Sequence, residues 1–126
     1  MIMRQWDDFL PYFTPGECGE GMDYGFMLRV LALRRRLNTR MIVHAGCERA
    51  GHAPKSYHGK GLALDFHVEN VSPRRVLMEI DRLGCFGGAG YYPWWSHPGF
   101  HIDDRPAGRY QRWVSPARGE YVYLIS

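Results

Sequence analysis

Ser56-Tyr57-His58-Gly59-Lys60-Gly61-Leu62-Ala63-Leu64-Asp65-Phe66-His67-Val68 is the stretch of this 126-residue chain that decides how it folds. Leu62, Leu64, Phe66 and Val68 alternate with Ala63, Asp65 and His67, the period of a strand with one face on a core. Asp65 and His67 therefore share the other face. A carboxylate buried there without a partner costs several kcal/mol, roughly, so a metal or an arginine is expected beside Asp65. Gly59 and Gly61 are read as letting the loop before the strand fold back with His58.

Upstream, Met41-Ile42-Val43-His44-Ala45 reads as a strand, and Gly46 to Lys60 as a polar loop. Before it, Asp23 is an N-cap for a helix carrying Phe26, Val30, Leu33 and Leu37 at helical spacing, stopped by Asn38. Arg34, Arg35 and Arg36 close that helix, where cations suit the negative end of the macrodipole. Met1 to Gly21 is expected to wrap the domain irregularly. Downstream, Ser72-Pro73 opens a second helix with Val76, Leu77, Ile80 and Leu83 as its buried stripe and Gly84 as its end. Strand-like runs follow at Gly88 to Tyr92, Gly99 to Asp103, Tyr110 to Trp113 and Tyr121 to Ile125. The sum is a single α+β domain over residues 1–126, a small antiparallel sheet flanked by two main helices.

Composition narrows the function. With 45% hydrophobic residues and 14% aromatics the chain can bury a core without disulfides. Its three cysteines, Cys18, Cys47 and Cys85, are widely spaced, lack a CxxC pair and fit reduced thiols. A net charge of +3 is too mild for a nucleic-acid binder, and no recognised nucleic-acid module is present. No stretch is long and apolar enough to span a membrane, and Met1 to Asp8 lacks the apolar run of a signal peptide. The expectation is a monomer made in the cytoplasm.

The chemistry rests on His58 and Asp65 together with Phe100-His101-Ile102-Asp103. A catalytic zinc ion takes three ligands from His, Asp or Glu and keeps a fourth position for water. A loop supplies His58, the next strand Asp65, and a second strand puts His101 and Asp103 on one face. On spacing alone, histidine-rich chains offer such pairs without metal, so both readings stand at this point.

Ser-x-His-x-x-Gly-x-Ala-x-Asp, present as Ser56 to Asp65, resembles the signature of the D-alanyl-D-alanine carboxypeptidase family of zinc peptidases, which shares its fold with the hedgehog signalling domain. Gly51 to Lys55, Gly87 to Pro93, Phe100 to Arg105 and Arg112-Trp113 are similar to its small single-domain branch, found in phages and bacteria. The resemblance covers roughly residues 13 to 113. It implies one zinc ion on His58, Asp65 and His101, with Ser56 beside the site and Arg105 and Trp113 supporting the strand of His101. An arginine after the first strand binds a substrate carboxylate in relatives. Arg49 is the nearest match, although the loop reads Gly46-Cys47-Glu48-Arg49. Relatives place an acid or a histidine just before the last ligand, where this chain has Pro98 and Gly99. Asp103 is then the first choice for the proton acceptor, His97 the second and Glu48 the third.

The resemblance implies a zinc metallopeptidase acting on peptidoglycan stem peptides, as carboxypeptidase or endopeptidase, reaching the wall after release or within a virion. The alternative is a zinc-bearing wall-binding or virion module without turnover. His67 reads as a half-exposed strand residue, and His44 and His52 as ordinary surface residues. Trp94 and Trp95 form either a stacking wall or a loop packed on the core. Gly87, Gly88 and Gly90 are not a phosphate loop, because no Lys-Ser/Thr helix start follows.

Overall fold

The computed structural model describes residues 6–47, 57–106 and 109–125. Helix α1 spans Pro15–Cys18, α2 Tyr24–Leu37 and α3 Pro73–Leu83. The strands are β1 Met41–Ala45, β2 Ala63–Val68, β3 Gly88–Tyr92, β4 Gly99–Asp103, β5 Gln111–Val114 and β6 Val122–Ile125.

The helix ends follow local chemistry. Thr14, Asp23 and Ser72 each accept a backbone N–H of the first turn through a side-chain oxygen, while Asn38 and Gly84 close α2 and α3 in left-handed conformation. The N-terminal stretch does more than wrap the surface, since Trp6, Phe9 and Phe13 are buried in the main core.

The six strands form one sheet in the order β1-β2-β4-β3-β5-β6. It is mixed rather than wholly antiparallel, because β3 and β5 run parallel. Strand β4 turns back from β3 and inserts beside β2, so the chain reaches the free edge of β3 by a crossover and enters it in the same direction. Alternation gives the sheet two chemically different faces. Leu64, Phe66, Phe100, Ile102 and Ala89 pack with Phe26, Val30, Val76 and Ile80 of the helices. The opposite face carries Asp65, His67, His101, Asp103 and Trp113.

Two glycines are needed where they stand. Gly61, at φ +72°, ends the 3-10 turn His58–Lys60, and a Cβ there would lie 2.1 Å from the Gly21 carbonyl oxygen. Gly59 has no such role, since a Cβ on it would meet nothing within 4 Å. On β3, a Cβ at Gly90 would lie 2.2 Å from Trp113 Nε1. Trp113 therefore lies over the bare backbone of Gly90, whose register partner across β3 and β4 is His101. Gly90→Ala is expected to displace that indole and to cost about 1–3 kcal/mol, as overpacking does, measured by urea unfolding.

Candidate metal centre

The site is built on the central strands. Pairing of β2 with β4 sets Asp65 directly opposite His101 and Ala63 opposite Asp103. The 3-10 turn before β2 brings in His58 from the side. His58 Nε2 lies 3.3 Å from Asp65 Oδ1, and His101 Nδ1 lies 2.7 Å from the same oxygen. One ligand atom from each of the three residues falls within 4.8 Å of the other two. Two donors of a tetrahedral zinc site, each about 2.0–2.1 Å from the ion, stand about 3.3 Å apart. The nitrogen and oxygen donors and their number thus fit a zinc ion, and the His58–Asp65 separation is that of two tetrahedral ligands.

The outer edges of both imidazoles are also engaged. His58 Nδ1–H donates to the Gly46 carbonyl at 2.9 Å, which turns Nε2 towards Asp65. His101 Nε2–H donates to Asp103 Oδ2 at 2.7 Å, which turns Nδ1 to the centre. Asp103 is fully buried and doubly anchored. Its Oδ1 accepts the Arg105 backbone N–H at 3.0 Å and Nε–H at 2.9 Å, and Oδ2 accepts Arg105 Nη2–H at 2.7 Å. Arg105 also donates to Gln111 and lies over the Trp113 ring. Trp113 packs against His101 with ring centroids 5.6 Å apart, and its Nε1–H donates to the Tyr92 hydroxyl at 3.0 Å.

These contacts set the charges. Burial pushes the Asp65 carboxyl up, but hydrogen bonds from His101 and His58 outweigh it and hold the group well below the usual carboxylate range. Burial likewise opposes the ionised form of Asp103, and His101 and Arg105 reverse that too. Burial lowers His101, yet its bonds to Asp103 and Asp65 win and raise it to about 9. Without a metal, the imidazole is a cation clamped between two carboxylates.

A cleft of about 530 Å³ opens beside Asp65, lined also by His44, Trp94, Trp95, Ser96 and Arg118. Trp95 stacks on Tyr92 with centroids 4.4 Å apart, so the two tryptophans form a cleft wall. The register of β1 shifts between Val43 and Ala45, and His44 at this bulge hydrogen-bonds through Nε2 to His67 Nδ1. His97, on the loop between β3 and β4, stacks on His67 with centroids 4.7 Å apart. Sequence reading set His44 and His67 aside as ordinary residues. The register of β1 on β2 pairs Ile42 with His67, so the contact of His44 with His67 depends on the bulge and on the folded sheet.

The structure brings His58, Asp65, His101 and Asp103 together and sets His97 on the neighbouring histidine cluster. Asp103 stands behind His101, on the ring edge away from Asp65. Arg49, Ser56 and Glu48 lie outside the described residues.

A family model described as peptidoglycan L,D-endopeptidase MepK matches residues 27–113, which include the whole His58, Asp65, His101 and Asp103 constellation. This chain belongs to the MepK family of peptidoglycan endopeptidases. Peptidoglycan L,D-endopeptidase MepK of Escherichia coli K12 is 43% identical over 58 residues, 45% of this chain and 30% of that relative. The Shigella flexneri protein of the same name matches equally, at 43% over 58 residues. The aligned stretch thus spans less than a third of either MepK relative. No solved structure matches the chain. The family is of the zinc D-alanyl-D-alanine carboxypeptidase type that the sequence motifs resemble, and its description names an L,D-endopeptidase rather than a carboxypeptidase. Among the described residues, no helix is long and apolar enough to cross a membrane.

Proposed function

We propose that this chain is a zinc-dependent peptidase that hydrolyses a peptide bond in the stem peptides of peptidoglycan. The observation that carries this reading is the convergence of His58 Nε2, Asp65 Oδ1 and His101 Nδ1 beside an open cleft, in a member of a peptidoglycan endopeptidase family. The zinc ion supplies a Lewis acid that polarises the scissile carbonyl and makes water nucleophilic near neutral pH.

The chain's own groups divide the remaining work. Gly46 and Asp103 hold the two imidazoles in orientation through their outer nitrogens. With both oxygens of Asp103 taken by His101 and Arg105, it serves as a positioning residue. The proton acceptor falls to the histidine cluster on the cleft wall, with His44 in front and His67 and His97 behind it. Partial burial and the neighbouring His67 hold His44 below the ordinary imidazole value, so it is neutral and basic at pH 7. Trp94 and Trp95 give the peptide an apolar wall on which to lie.

Digestion of purified peptidoglycan tests the reading. Soluble peptide fragments that vanish with a chelator and return with zinc are expected. Binding to the wall without any cleavage would replace it with the zinc-bearing module, a reading favoured by Pro98 and Gly99 standing where relatives carry an acid or a histidine.

The clamped proton of His101 makes a second measurable prediction. A folded-state value of about 9, against about 6.5 for a free imidazole, means that its ion pairs stabilise the metal-free fold fully below about 6.5. That contribution is lost as pH rises through about 9. Zinc must displace the Nδ1 proton, so uptake at pH 7.5 is expected to release about one proton per ion. Titration calorimetry in buffers of different ionisation enthalpy reads this as a slope near one, and a slope of zero would contradict it.

A further inference from the structure

Among the described residues that line the cleft, Arg118 is a cation that the metal centre does not use. Arg118 sits on the turn after β5, and its guanidinium carbon lies 4.8 Å from the Trp94 ring centroid. Trp94 is itself fixed, because its Nε1–H donates to Ser115 Oγ at 3.0 Å. Ser115 is fully buried, its Oγ–H donates to the Ala117 carbonyl at 3.0 Å, and its N–H donates to the Tyr91 carbonyl at 2.8 Å. The turn that bears Arg118 is thereby tied to β3 and to the loop that walls the cleft.

Among the described residues, three other arginines have their charges paired inside the protein. Arg105 pairs with Asp103, Arg29 with Asp104 and Arg112 with Asp81. Among the described residues no carboxylate pairs with Arg118, which stands exposed at the cleft that Asp65 shares. A guanidinium propped on an indole keeps its N–H groups for a planar oxyanion and forgoes less side-chain freedom when it binds one. Residue 118 lies beyond the 27–113 stretch that the family model matches.

We propose that Arg118 anchors a free carboxylate of the peptide lying in the cleft, and so selects acidic over amidated stem peptides. This rests on the peptidase reading and adds a substrate class to it. The probes are a synthetic stem peptide with free carboxylates and the same peptide as its carboxamide, offered to the zinc-loaded full chain. Charge-assisted pairing predicts that the native protein favours the acidic peptide by about 10- to 100-fold in kcat/KM and in equilibrium binding followed by tryptophan fluorescence. In Arg118→Ala and Arg118→Gln that ratio should collapse towards one, and Arg118→Lys should keep part of it. Thermal melts of the three variants confirm that each is folded.

A native protein without preference, or variants that keep the native ratio, would overturn the proposal. Equal cleavage of both peptides would leave the peptidase reading intact while removing the anchor. Arg118-dependent binding of the acidic peptide without cleavage would keep the anchor and remove the peptidase.

Discussion

Asp65→Asn is expected to strip the protein of zinc and to end its activity on peptidoglycan. The substitution keeps the shape of the side chain but removes the anionic oxygen shared by both imidazoles, the centre of the three-donor set. Two histidines with an amide between them form a poorer, uncharged site. Elemental analysis should fall from about one zinc per chain to near none. Loss of the Lewis acid, worth several kcal/mol, sets the drop in cleavage at about 10³-fold or more. The metal-free fold also loses one partner of the His101 cation, so circular dichroism at matched pH must accompany the assay. Retention of stoichiometric zinc with cleavage within about tenfold of the native rate would remove the metal centre from the account.

The second large effect is expected at Asp103, and its form separates two roles. As a positioning residue, Asp103 holds His101 through Nε2 and is itself held by Arg105. Asp103→Asn should then weaken zinc binding or activity by about 10- to 100-fold, the usual cost of losing an outer partner of a ligating histidine. At saturating zinc the acid limb of the pH–rate profile should persist. A proton acceptor behaves otherwise: its loss cuts the rate by about 10²- to 10⁴-fold and removes that limb. The second pattern is expected for His44→Ala, with zinc content unchanged. Should Asp103→Asn abolish the acid limb and His44→Ala leave it in place, the roles are reversed and Asp103 takes the proton.

Local chemistry in the chain was enough to locate the elements. Asp23 and Ser72 announce the starts of α2 and α3, Asn38 and Gly84 their ends, and the alternation through Leu62 to Val68 marks β2. The same alternation puts Asp65 on the polar face and His101 with Asp103 on one side of β4. The direction of β5 escapes such reasoning, because a short strand can pair in either direction and only the crossover after β4 chooses. The role of Gly90 escapes it too, since its need comes from Trp113, more than twenty residues away, lying across it.

Residue types and spacing by themselves determined an α+β domain and put Asp65, and His101 with Asp103, on the polar faces of their strands, because caps and strand alternation act over a few residues. The grouping of His58, Asp65 and His101 around one metal came from the family resemblance. Tertiary structure alone decided what each nitrogen and oxygen faces. It set Asp103 behind His101 rather than at the centre, joined His44 to His67 across β1 and β2, and laid Arg118 over Trp94 at the mouth of the cleft. Period two says which face of a strand a side chain occupies. Which edge of a ring is bonded, and which arginine is left with its charge free, depends on neighbours brought together only by the packing of the sheet.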